Sequence, residues 1–175
     1  MKYIEKIVAR TQVELKSNSK NCIHSTTYYL RSVNSSRYYL KIGYDAGCGT
    51  LLLIILNQNK LPIGYVDFSE RKKIGRRYMN VVSVAYMMFA YRGLGLVSSA
   101  YIKAAQKTKE IIASDSTLSD AGHSLWKKII ENTDRSSLFI VEDSIPRPIK
   151  KKELTRFLNK QLEFPIGFRY EEKTF

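Results

Sequence analysis

The feature that most constrains the fold is a run of leucine and β-branched residues from Thr50 to Leu56. The run is far shorter than the roughly 18 residues that a membrane-spanning helix needs. Its composition is typical of a strand that is covered on both faces. The preceding segment, Arg37 to Tyr44, alternates so that Tyr38, Leu40, Ile42 and Tyr44 share one face, as expected for a strand with one buried side. Turn-forming residues separate the two segments, which therefore predict an antiparallel hairpin.

The pattern changes from strands to helices along the chain. Ile63–Phe68 and Met79–Phe89 predict two more strands, and Leu96–Lys109 has apolar residues at helical spacing. Segments with weaker patterns predict a loop at 17–26, a strand or short helix up to Leu15, strands at 110–114, 136–141 and 167–171, a helix after the N-cap Ser119, and a helical stripe at 154–162. This order predicts one mixed α/β (α+β) domain over residues 1–175, with a mostly antiparallel sheet flanked by helices.

The charge is the unusual part of the composition. The 175 residues include 29 Lys and Arg but only 16 Asp and Glu, a formal net charge of +13. Such an excess favours a polyanionic partner, either nucleic acid, a phosphorylated cofactor or an acidic protein. Two cysteines and two histidines suffice neither for a disulfide framework nor for a recognisable zinc site. Because the N-terminus also lacks the apolar core of a secretion signal, we expect a cytoplasmic protein without a membrane segment.

Two basic clusters stand out within this charge. Arg71–Arg77 carries five positive charges in seven residues, and Arg147–Lys152 carries a second group. Basic runs mark phosphate-contacting surfaces in nucleic-acid-binding proteins. They are equally typical of the solvated rim of a basic protein, so the sequence leaves both interpretations open.

The segment between the fourth strand and the following helix is the best candidate for a binding site. It contains Arg92-Gly93-Leu94-Gly95 directly before the helix. Two glycines in a tight turn allow the backbone to approach a ligand closely. The helix that follows presents unpaired N–H groups and the positive end of its dipole, an arrangement that binds phosphate.

In this context, residues 91–97 (Tyr-Arg-Gly-Leu-Gly-Leu-Val) resemble the acetyl-CoA-binding motif of GNAT-type N-acetyltransferases. Arg92, Gly95 and Val97 occupy the positions of the family pattern, with Val97 in place of a smaller residue. Residues 111–115 and the helix from Ser119 through Trp126 are similar to the next strand and helix of GNAT-like proteins often encoded by bacteriophages. The resemblance covers roughly residues 62–142.

The resemblance implies an acetyl-CoA-dependent N-acetyltransferase in which an amine, on a protein or another macromolecule, attacks the thioester. It also implies a splay between two central strands that holds the pantetheine arm. The implied cofactor-binding residues are Met87, Met88 and Phe89 at the end of the fourth strand, then Arg92, Gly93, Leu94, Gly95, Leu96 and Val97 around the pyrophosphate, and Ser119 before the later helix.

The catalytic groups are less clear in the sequence. Trp126 occupies the position where the family often has a tyrosine that acts as the general acid and protonates the leaving thiolate. An indole N–H cannot protonate a thiolate. His123 and Ser124 are adjacent candidates for an acid, while Asp67 and Glu70, at the end of the third strand, are candidates for a base. The alternative hypothesis is a catalytically weak GNAT-fold protein that binds nucleic acid or an acidic host protein through its basic surface.

Overall fold

The computed structural model describes residues 13–143, 145–162 and 164–170. Within them it confirms the predicted mixed fold, with a mostly antiparallel sheet of nine strands in the order β1-β2-β3-β4-β5-β6-β9-β7-β8. The strands are β1 (Cys22–Val33), β2 (Ser36–Asp45), β3 (Leu51–Leu56), β4 (Pro62–Ile74), β5 (Arg77–Met87), β6 (Ile111–Ala113), β7 (Leu138–Glu142), β8 (Ile145–Pro148) and β9 (Ile166–Phe168). The helices are α1 at residues 13–21, α2 (Leu96–Thr108), α3 (Asp120–Glu131) and α4 (Lys151–Leu158).

The chain divides into two compact units. Among the described residues, the first unit consists of residues 13–68 together with Val84–Ala100, and the second consists of Ser69–Ser83 and the described residues from Tyr101 to Tyr170. Among the helices of the described residues, none has both the length and the apolar composition needed to cross a membrane.

The first unit is built on the hairpin that the sequence predicts. All six residues of β3 are buried, and β2 pairs with β3 in antiparallel register through Tyr39↔Leu56 and Tyr44↔Leu51. On one face, Leu52, Ile54 and Leu56 pack with Cys22 of β1. Burial of both faces of β3 explains why its sequence is continuously apolar.

The predicted loop at 17–26 is wrong. Residues 17–21 belong to α1 and residues 22–26 begin β1, while the first 12 residues of the predicted N-terminal segment lie outside the described residues. Leu15 and Cys22 are buried, and the Lys41 ammonium donates a hydrogen bond to the Ser19 carbonyl at 2.7 Å. Most side chains of β1 are exposed, so its sequence shows few of the apolar positions that indicate a strand.

In the second unit, the last described strand of the chain lies inside the sheet and not at its edge. β5 pairs with β6 in parallel through Met79↔Ile111, and β9 then inserts between β6 and β7 through Ile112↔Phe168 and Leu138↔Phe168. The strand predicted at 167–171 is confirmed at Gly167 and Phe168, whereas residues 169–170 are not in a strand and Glu171 lies outside the described residues. Trp126 of α3 is 1% exposed and packs between the rings of Tyr101 and Phe168, with centroids 5.8 and 5.9 Å away.

The hairpin of β4 and β5 is longer than predicted. β4 continues six residues past Phe68 to Ile74, and the turn is confined to residues 75–76, where Gly75 has φ +58°. The first basic cluster therefore lies on two strands and their turn. Lys72, Lys73 and Arg76 are exposed, whereas Arg71 and Arg77 are half-buried. Because charged residues occupy both faces of this part of the hairpin, the apolar alternation that would have revealed the strand is absent.

Candidate functional site

The loop between β5 and α2 has a backbone that requires its two glycines. After β5 ends at Met87, residues Phe89–Tyr91 form a single 3-10 turn, and α2 begins at Leu96. Gly93 and Gly95 have φ values of +79° and +69°, in the left-handed region that other residues rarely adopt. The predicted strand, glycine turn and helix are therefore present in that order.

The loop presents a series of unpaired N–H groups. Among the described residues, the backbone amides of residues 93–98 have no protein acceptor, and the first amide of α2 to be bonded is that of Ser99, which donates to the Gly95 carbonyl at 3.1 Å. The hydroxyls of Ser98 and Ser99 also donate to this carbonyl, at 3.0 and 2.9 Å. The carbonyl is therefore saturated while the amides remain open, and the helix dipole adds a positive potential at the same point.

Two arginines border the loop. The Nε of Arg92 donates to the Met87 carbonyl at 3.0 Å and so ties the loop to the end of β5. Arg31 comes from β1, and its Nη1 lies 3.4 Å from the Ser99 hydroxyl and 3.0 Å from the position that a Cβ on Gly95 would take. The Arg31 guanidinium therefore faces the glycine turn. Sequence reasoning missed Arg31 because the meander, rather than any local motif, brings it there.

The other predicted cofactor-binding residues have varied environments. The Met88 amide donates to the Ile63 carbonyl at 2.9 Å, so β4 already uses it. Phe89 is 85% exposed. Met87 and Leu96 are buried, whereas Leu94 and Val97 are half-buried.

Ser119 lies in the second unit, where its hydroxyl accepts a hydrogen bond from the Gly122 amide at 3.1 Å. This contact confirms the predicted N-cap of α3.

The two candidate acids on α3 differ sharply. His123 is buried, its Nε2 lies 2.8 Å from the Phe157 carbonyl, and its ring packs on the Phe157 ring. These contacts join α3 to α4 and are those of a core histidine. Ser124 is exposed. Both catalytic assignments therefore stay predictions from the sequence.

The two candidate bases on β4 also differ. Glu70 is exposed, whereas Asp67 is half-buried and pairs in register with Leu52 of β3. Burial raises the pKa of Asp67, the hydrogen bond from the Phe68 amide lowers it, and the nearby Asp45 raises it. The net pKa lies above the usual 3.8. A carboxyl with a raised pKa is a better proton acceptor at neutral pH, so Asp67 is the stronger candidate.

The second basic cluster is partly neutralised. The Arg147 guanidinium donates to Glu142 at 2.7 Å and to both carboxylate oxygens of Glu153 at 2.6 and 3.0 Å. Lys150, Lys151 and Lys152 are exposed at the start of α4. The cluster is therefore an ion-paired helix start with three outward lysines.

The Arg147–Glu153 pair predicts a specific acid sensitivity. Arg147 is the main cause that lowers the pKa of Glu153 from 4.5 to about 2. A depressed carboxyl pKa stabilises the folded state above pH 4.5, and that contribution is lost as the pH falls toward about 2. We expect Arg147→Met to remove this contribution, so that its free energy of unfolding approaches that of the wild type in acid.

Urea unfolding at several pH values measures the difference in free energy of unfolding between the wild type and Arg147→Met. Arg156→Met is the matched control, because the exposed Arg156 donates to the Gln161 carbonyl and to no carboxylate among the described residues. A wild-type advantage over Arg147→Met that stays constant across the acid range would contradict the assignment.

No model of a known protein family matches the chain, and no curated protein sequence matches it.

Proposed function

We propose that this protein is an acetyl-CoA-dependent N-acetyltransferase of the GNAT type, acting on an amine of a protein or another macromolecule. The observation that carries the proposal is the loop at residues 93–98, whose amides are open and whose glycines are both left-handed. The loop lies between β5 and α2, and this order of strand, glycine turn and helix supports the resemblance to the GNAT motif.

The loop has the properties of a pyrophosphate-binding site. Consecutive backbone N–H groups and the N-terminal end of α2 favour negative charge. The Arg31 guanidinium adds a full positive charge on the side of Gly95, which suits charge-assisted hydrogen bonds to phosphate oxygens. Arg92 is held by the Met87 carbonyl, so its main role in the proposal is to fix the loop.

Bound acetyl-CoA supplies a thioester carbonyl, which the acceptor amine attacks. The amine must lose a proton, and Asp67 is the described carboxyl of the first unit that best suits this task because burial raises its pKa. Positioning of the two reactants contributes a large share of the rate in such a transfer, so the reaction does not require a side-chain acid for the thiolate.

The contribution of Arg31 gives a direct prediction. We expect Arg31→Gln to weaken acetyl-CoA binding by roughly tenfold, the effect of losing one hydrogen bond to a charged group. Isothermal titration measures the dissociation constant. The exposed Arg156 of α4 provides the control, since Arg156→Gln removes the same charge elsewhere. Equal losses in both variants would show a general charge effect and contradict a role for Arg31.

The activity itself can be tested by thiol release. The protein is incubated with acetyl-CoA and a panel of amines, including a lysine-containing peptide and a polyamine, and free CoA thiol is measured. Amine-dependent thiol release with acetylated product supports the proposal. Tight binding of acetyl-CoA with no transfer to any amine would instead favour the non-catalytic alternative.

A further inference from the structure

We propose that the second unit carries a nucleic-acid-binding surface at one edge of its sheet. The surface is defined by eight cationic residues, Lys72, Lys73, Arg76, Arg77, Lys107, Lys109, Arg135 and Arg169, which we call the basic edge. The inference does not depend on the proposed cofactor site, which lies in the first unit.

Strand pairing brings these residues together from four distant segments. The parallel pair Met79↔Ile111 aligns the starts of β5 and β6. The pairs Ile112↔Phe168 and Leu138↔Phe168 place the end of β9 between the starts of β6 and β7. The same end of the sheet therefore carries the residues that lie just beyond these paired positions, namely Arg77, Lys109, Arg169 and Arg135. The β4–β5 turn continues this row of residues.

Among the described residues, the acidic groups near this edge are a buried glutamate at its centre and two exposed carboxylates at its Arg135 end. Glu110 is buried, and its two carboxylate oxygens each accept a hydrogen bond at 2.6 Å, one from Arg71 and one from Asn80. Lys72, Lys73, Arg76, Lys107, Lys109 and Arg135 are exposed, whereas Arg77 and Arg169 are half-buried. Glu131 and Asp134 are exposed near the Arg135 end, which leaves the hairpin end the more positive.

The chemistry of the edge favours nucleic acid over an acidic protein. Protein interfaces usually have an apolar, desolvated centre, and among the exposed large apolar or aromatic residues of the described chain only Tyr170 lies at this edge. Its ring is 5.6 Å from the Lys109 ammonium. Cations beside aromatic rings suit phosphates and bases.

The size of the edge also fits a nucleic acid backbone. Four adjacent strands span about 15 Å at the usual strand spacing. This length corresponds to several phosphates of one strand, and a polar, positively charged surface of this kind is typical of nucleic-acid interfaces.

Fluorescence anisotropy with a labelled 20-nucleotide single strand and a 20-base-pair duplex tests the proposal. The variant K72Q/K73Q/R76Q removes three charges from the hairpin, and K150Q/K151Q/K152Q removes three from the start of α4 as the matched control. We expect the hairpin variant to bind at least about tenfold more weakly and to show a salt slope smaller by about three, with the control within about twofold of the wild type. Arg135→Gln, at the other end of the edge, should lower the slope by about one.

Thermal melting of each variant checks that it is folded, and Arg135→Gln provides a second test that leaves the hairpin intact. Equal losses in the hairpin and control variants would overturn the proposal, because binding would then follow net charge alone. Binding to poly-glutamate as tight as to nucleic acid would also overturn it, in favour of an acidic protein partner. Affinity that does not change between low and physiological salt would exclude a phosphate-based contact.

Discussion

Replacing Gly95 with alanine should weaken acetyl-CoA binding by at least about 100-fold, or about 2.7 kcal/mol, because the added methyl obstructs the phosphates. Gly95 has φ +69°, and its added Cβ would lie 3.0 Å from Nη1 of Arg31. The methyl would occupy the space between the loop backbone and the guanidinium, where the proposal places a phosphate. Isothermal titration of the purified variant measures the loss.

Gly49→Ala provides a closely matched control. Gly49 has φ +70°, also in the first unit, and no heavy atom lies within 4 Å of its added Cβ. Both substitutions should therefore lower the free energy of unfolding by a similar amount, while only Gly95→Ala loses the ligand. If the two variants bind acetyl-CoA equally well, the loop is not the binding site.

Asp67→Asn should reduce acetyl transfer by at least about 100-fold, the usual effect of losing a general base. It should also stabilise the fold at neutral pH. Burial raises the pKa of Asp67 above 3.8, so the folded state holds this proton more tightly than the unfolded state does. The stability of the wild type therefore falls as the pH rises from 3.8 through the raised pKa, and an uncharged asparagine avoids that cost.

The two effects of Asp67→Asn can be measured separately. Thermal unfolding at pH 7 should show a higher midpoint for the variant, and the advantage should vanish below pH 3.8, the usual value for aspartate. Initial rates of thiol release measure the activity. Glu70→Gln, an exposed carboxyl on the same strand, tests the choice between the two candidates and should retain wild-type rates. Loss of activity in Glu70→Gln with full activity in Asp67→Asn would reverse the assignment.

The sequence alone predicts those parts of the fold that depend on burial of a strand face or on contacts between residues close in the chain. The alternation in β2 and the apolar run of β3 follow directly from burial on one or both faces. The N-cap at Ser119 is equally local, since its hydroxyl bonds an amide three residues later. The glycine turn before α2 is predictable because a left-handed backbone favours glycine.

Features that depend on contacts between distant parts of the chain cannot be predicted from local sequence patterns. Nothing local indicates that β9 inserts between β6 and β7, because the register depends on residues far apart in the chain. Arg31 reaches the loop, and Arg135 and Arg169 share an edge with the hairpin, only through strand pairing. Asp67 and Glu70 look alike in sequence, and only packing against β3 distinguishes the half-buried carboxyl from the exposed one.

Titration of acetyl-CoA into the wild-type protein tests the central claim most directly. We expect saturable binding at a single site, competition by CoA, and loss of the signal in Gly95→Ala but not in Gly49→Ala. An absence of any binding heat at high micromolar acetyl-CoA, with a protein that is shown to be folded, would contradict it.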